Sequence, residues 1–70
     1  MMEKTLIFLK RDLGRSREVL KSNRIKAYRP QSENFHGEFV VGVLFSDTER
    51  AHALLTAAGI EITRTAFRPR

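Results

Sequence analysis

Cysteine is absent from this chain of 70 residues, and so is tryptophan. Without cysteine there can be no disulfide staple, no thiolate metal site and no thiol nucleophile. A domain of this size buries only about 60% of the surface its unfolded chain exposes, so its core is marginal and a partner is expected to help. A cysteine-free composition also fits a reducing compartment, and a cytoplasmic location is expected. Long apolar runs are lacking too: the longest, Leu6–Leu9 and Phe39–Phe45, fall far short of the ~20 residues that span a bilayer. No membrane partner is expected, and the start Met1-Met2-Glu3-Lys4 has no apolar core of a signal peptide. The glycines at 14, 37, 42 and 59 are isolated, which excludes a phosphate loop of the G-x-x-x-x-G-K type. His36 and His52 form no H-x-x-x-H or H-E-x-x-H pattern and there is no nucleophile elbow, so no metal, cofactor or catalytic residue is expected.

What the chain has in abundance is positive charge, +5 from 13 basic and 8 acidic residues. Nine of the thirteen are arginine, whose planar donor fork suits phosphate and carboxylate. The charge is bipolar. Residues 10–29, "KRDLGRSREVLKSNRIKAYR", hold eight basic and two acidic side chains, and residues 64–70 hold a further +3, while residues 30–63 sum to −4. Such a surface can steer a polyanion to one side.

Hydrophobic patterning divides this single domain, residues 1–70, into six elements without repeat or linker. "TLIFLK" (5–10) reads as a strand, and the charged stretch from Asp12 to about Asn23 as a helix that starts at Asp12 or Ser16, with Asp12 suited to an N-cap and Glu18 within reach of Arg15 and Lys21. "RIKAYR" (24–29), ended by Pro30, reads as an edge strand, and "EFVVGVLFS" (38–46) as the strongest strand. Ser46 and Glu49 have capping-box spacing. Ala51, Leu54, Leu55 and Ala58 make one helical stripe, and Gly59 suits a left-handed C′ position. "IEITRTAF" closes the domain as a last strand. The order β-α-β-β-α-β predicts an α/β (α+β) ferredoxin-like two-layer sandwich, with a four-stranded antiparallel sheet of order 4-1-3-2 and both helices on one face.

The two central strands are apolar on both sides. Ile7 and Leu9 share one face of the first strand, with Leu6 and Phe8 on the other. Phe39, Val41, Val43 and Phe45 share one face of the third, with Val40 and Leu44 on the other, and the helices can cover only one face of the sheet, leaving the second open. The edges would add Lys26 and Tyr28 from one side and Thr63, Thr65 and Phe67 from the other, with Ile62 and Ala66 inward. A homodimer through the open sheet face, or stacked bases, would cover this surface. Gly42, inside a strand, predicts a bulge or a close approach of another backbone.

The segment "DTERAHALLTAAGIEIT" (47–63) resembles the second half of an ACT domain, with an Ala- and Leu-rich helix, a glycine and a final strand. That resemblance implies a small-molecule-sensing regulatory dimer without catalysis, its ligand near Asp12, Leu13 and Gly14. The charge distribution points instead to a small, non-enzymatic regulatory protein that engages an anionic partner, nucleic acid first and an acidic protein surface second. A small protein–protein modulator, such as a phage-type inhibitor of a host protein, would have the same composition. The candidate contact residues are Lys10, Arg11, Arg15, Arg17, Lys21, Lys26 and Tyr28, with Arg64, Arg68 and Arg70 from the other edge. Arg11, Arg15 and Arg17 stand out, because positive charge at a helix start opposes the macrodipole.

Overall fold

The structure, a computed structural model, describes residues 3–29, 34–35 and 37–68, with Asn34, Phe35 and Arg68 as backbone. Its elements are β1 (Lys4–Leu9), α1 (Leu13–Ser22), β2 (Asn34–Phe35), β3 (Glu38–Leu44), a 3-10 turn (Phe45–Asp47), α2 (Thr48–Ala57) and β4 (Ile62–Arg68). Three full strands make an antiparallel sheet with β1 in the middle, β3 on one side and β4 on the other. The two residues of β2 pair only with Phe39 and Glu38 on the outer side of β3. Ile7, Leu9, Val41 and Val43 point from the sheet into one core with Leu20, Ile25, Ala51, Leu55 and Ile60, so both helices lie on the same face. The result is a two-layer α+β domain whose core takes apolar side chains from each element at the period that element requires.

Both helices end in the same way. After α1, the Arg24 N–H donates to Lys21 O and the Ile25 N–H to Leu20 O (3.1 and 2.9 Å). After α2, the Gly59 N–H donates to Thr56 O and the Ile60 N–H to Leu55 O (both 3.0 Å). These are Schellman endings, and in each the residue after the turn packs on the leucine whose carbonyl it caps. Gly59 supplies the required left-handed backbone at φ 79°, whereas α1 places Arg24 there at φ 62°. The match extends through both helices. Asp12 and Asp47 are the N-caps, Arg15 and Arg50 stand three residues on, Ser16 and Ala51 are fully buried, and Leu20–Ile25 and Leu55–Ile60 close the ends, each position 35 residues after its counterpart. The chain therefore does contain a repeat, carried by backbone geometry and a few spaced residues.

Several expectations change. The four-stranded ferredoxin-like sheet is reached only in part, because residues 24–29 form no edge strand. Tyr28 alone pairs there, in an isolated bridge to Gly42. Between Tyr28 and Asn34 the chain has five residues where β3 has only Val40 and Val41, so the two pairings with β3 are out of register and no continuous ladder can form. The capping box does not form, since α2 starts at Thr48 with Asp47 as N-cap and Glu49 falls one position short of the box. Asp12 is the N-cap of α1, but its side chain makes no capping hydrogen bond and its backbone is left-handed at φ 68°. Finally, a bulge in β4 leaves Thr63 unpaired, with Leu9 opposite Ile62 and Phe8 opposite Arg64. Beyond it the parity of β4 reverses. Ala66 joins Leu6 on the open face, while Thr65 and Phe67 turn to the helix side, where Thr65 Oγ1 meets His52 Nε2 at 2.7 Å and Phe67 packs on Phe45 at a centroid distance of 4.6 Å.

The open face is partly filled by the chain itself. The Arg64 guanidinium lies 3.7 Å from the centroid of the Phe8 ring, and its Nε is 3.2 Å from Glu38 Oε1. Thr63 Oγ1 donates to the other oxygen of Glu38, so a clamp crosses β1 from β4 to the start of β3. Beneath it Phe8 is 5% exposed and Val40 2%. Gly42 is a place of close approach: a Cβ there would lie 3.4 Å from the Tyr28 Cβ and 3.7 Å from Leu6 Cδ2.

The two helix ends yield a matched pair of substitutions. Arg24→Gly removes a left-handed non-glycine residue and should stabilise the domain by about 1 kcal/mol, while Gly59→Ala should destabilise it by about the same amount. Urea midpoints moving in opposite directions at an unchanged m-value would bear this out, and equal midpoints would refute it.

Candidate functional site

The three arginines crowded at the start of α1 point in three directions. Arg11 Nη1 is 4.0 Å from Glu61 Oε1, just before β4. Arg15 Nη2 donates to the carbonyl of Ala58, the C-cap of α2. Arg17 Nη2 lies 3.5 Å from Ala27 O. Arg50, the counterpart of Arg15, returns the contact: its Nη2 donates to Asn23 O, the C-cap of α1, at 3.0 Å. Each helix thus places a cation from its own first turn on the C-terminal carbonyls of the other. A positive charge unfavourable to its own helix dipole is favourable to the neighbour's opposite end. Arg11 and Arg15 are engaged by the fold, and so is Arg64, through Glu38 and Phe8.

The remaining cations gather elsewhere. Residues 25–29 leave the Schellman turn and run beside α1, and a groove of about 510 Å³ opens between them. Arg17 and Lys21 line it from the helix, Lys26 and Arg29 from the extended segment, with Glu18 as the one acidic wall residue among the described residues. Gly14 and Ala27 are small, which leaves the floor open, and Ile25 closes it towards the core. Lys21 also sits in the last turn of α1, where a cation suits the dipole. Glu18 pairs with neither Arg15 nor Lys21 among the described residues, contrary to the i±3 pairing expected.

Lys26 belongs to a second feature as well. Its Nζ stands 5.2 Å from the centroid of the Tyr28 ring, and Lys4 Nζ stands 4.5 Å from the same centroid. Lys4 reaches across from β1 because Gly42, paired both to Leu6 and to Tyr28, puts no side chain in between. The groove and the aromatic corner therefore share Lys26.

Of the residues picked out by sequence, Arg17, Lys21 and Lys26 come together in the groove, and Tyr28 adjoins it. Lys10 is exposed beside Arg11, and its N–H reaches Glu61 O at 3.4 Å. Arg68 is described as backbone in β4, and Arg70 and His36 lie outside the described residues. Arg29 and Lys4 were missed. Lys4 shares the parity of Leu6 and Phe8, which was a usable signal for the open face, but its meeting with Tyr28 depends on the bridge at Gly42.

The internal repeat supplies a control for the groove. Thirty-five residues after Arg17, Lys21, Lys26 and Arg29 stand His52, Thr56, Glu61 and Arg64. A depression does occur there, lined by Thr48, Glu49, His52, Ala53, Thr56 and Ala57, all from α2. On the matching face, α2 therefore carries an imidazole and a hydroxyl where α1 carries Arg17 and Lys21. The helix geometry shared by the two halves does not require a cation at Lys21, whereas Arg17 also bonds the Ala27 carbonyl.

Among the described residues no group of three or more His, Asp or Glu side chains could hold a metal ion, and no helix is long and apolar enough to cross a membrane. No protein-family model, curated protein or solved structure matches the chain.

Substitution separates the two kinds of cation. Arg15→Ala and Arg50→Ala should each cost about 0.5–1 kcal/mol, because each removes an exposed charged donor from a helix end. Being at opposite ends of the helix pair, they should add in the double variant. Lys21→Ala and Lys26→Ala should stay within about 0.5 kcal/mol of the parent. Chemical denaturation of the five proteins tests the division, and a lysine variant as destabilised as Arg15→Ala would contradict it.

Proposed function

We propose that the chain is a small, non-enzymatic binding protein of the cytoplasm. In this reading it is a ferredoxin-like sandwich whose second strand is broken by the register slip after Tyr28, and its groove takes a nucleic acid. The observation that carries the reading is the internal control. Where the second half of the repeat has Thr56 and Glu61, the first has Lys21 and Lys26, gathered beside Arg17, which also bonds the Ala27 carbonyl. A phosphodiester chain offers a line of single negative charges that such a row can match, releasing counterions as it binds. An acidic protein surface would satisfy the same charges. The aromatic ring of Tyr28 beside the groove favours nucleic acid, because a base offers it a flat π face.

Fluorescence anisotropy at low salt with labelled single- and double-stranded DNA and RNA tests the assignment. Binding should weaken steeply as salt rises. The triple variant Lys21→Ala, Lys26→Ala, Arg29→Ala should bind at least tenfold more weakly, with a salt slope shallower by about 2, since each lost phosphate contact removes ~0.7–0.9. No binding to any nucleic acid at low salt would overturn the reading.

A further inference from the structure

Resting on that reading, we infer that Tyr28 is the stacking site for one base of a single-stranded nucleic acid, with Lys4 and Lys26 taking the flanking phosphates. The internal repeat again frames the argument. Matching the core-facing residues Thr5, Ile7 and Leu9 of β1 with Phe39, Val41 and Val43 of β3 makes Glu38 the counterpart of Lys4. The counterpart of Tyr28 is Thr63. At the Glu38 corner the charges are balanced within the chain, since the carboxylate accepts from Thr63 and holds Arg64. At the Lys4 corner two ammonium groups share one ring, at 4.5 and 5.2 Å, and no carboxylate pairs with either among the described residues. Like charges gathered at a π face form a site that an anion completes. The ring is half-buried and held by its backbone bridge to Gly42, where the two segments approach closely.

The chemistry selects the strand type. Lysine ammonium groups on flexible stems can swing from the ring to phosphates on either side of a nucleotide, leaving the ring to a base. Only an unpaired base can be splayed onto such a ring, because in a duplex the π faces are already stacked. The partner is therefore a single strand that runs from the groove, past Lys26, over Tyr28 to Lys4.

The chain carries its own reporter, since Tyr28 is its one tyrosine and there is no tryptophan. Its ultraviolet emission can be followed while the full chain is titrated with a short single-stranded oligonucleotide, the matching duplex, or inorganic polyphosphate as a base-free polyanion. The single strand should quench the emission and bind at least fivefold more tightly than the duplex, and polyphosphate should bind without the quench. Tyr28→Ala should lose about tenfold in single-strand affinity while Tyr28→Phe retains it, and neither should alter polyphosphate affinity. That last measurement also shows that the variants are folded. Single-strand binding that Tyr28→Ala leaves intact, or a duplex bound as tightly as the single strand, would overturn the stacking site and leave the groove standing. Failure of every polyanion to bind would instead overturn the groove reading and this inference with it.

Discussion

The domain depends on a contact it makes twice, an isoleucine folded back onto the leucine one turn before the end of a helix. Leu20–Ile25 and Leu55–Ile60 are all buried, and each pair is fixed by one left-handed residue between its members. With no disulfide and a core of this size, these closures anchor the segments that leave the helices. After Ile60 the chain runs into β4. After Ile25 it runs along α1 and first meets the sheet at Tyr28. The second closure thus completes the sheet, and the first sets the position of Lys26, Tyr28 and Arg29.

Antiparallel helix packing turns two local liabilities into long-range attachments. Arg15 and Arg50 each sit where a cation is unfavourable to its own helix, and each reaches the carbonyl end of the other. Both contacts are exposed, so their worth is modest, and their orientation matters more than their strength. They hold the helices side by side without consuming apolar surface, leaving Ser16 and Ala51 as the small buried residues of the helix pair. Arg64 does a similar task on the other layer by covering Phe8 and tying β4 to β3 through Glu38. Much of the arginine bias is therefore architectural, and the residue left for partners is richer in lysine than the composition suggests.

The parts legible in sequence were those fixed by local periodicity: β1, β3, both helices, the glycine at 59 and the alternation of the central strands, although Phe45 leaves that alternation for the 3-10 turn. Three features were not legible, each for a definite reason. The bulge at Thr63 inserts one residue into β4, and a period of two cannot show where it changes phase, so Ala66, Thr65 and Phe67 were assigned to the wrong faces. The slip between Tyr28 and Asn34 is a property of two separate pairings with β3 and leaves no mark in either segment alone. The partners of Arg11 and Arg15 lie 50 and 43 residues away, so helix-dipole reasoning confined to α1 could see only the cost of those charges. For the candidate site, the charges of Arg17, Lys21 and Lys26 were visible, but not that they share a groove with Arg29 or that Lys4 joins Tyr28.

The repeat connects these observations, because two copies of one local plan allow a comparison normally available only between proteins. Where both copies keep a residue, as at Leu20 and Leu55, Ile25 and Ile60, or Arg15 and Arg50, the role is explained by the core or by the helix pair. Where they differ in charge, the core and the helix ends that both copies share do not impose the difference. Lys21 against Thr56, Lys26 against Glu61 and Lys4 against Glu38 all differ in one direction, and all lie around residues 25–29 and the Tyr28 ring. Three surface choices of one sign, converging on one edge of a sheet left incomplete by the register slip, turn an architectural scaffold into a surface with one charged side.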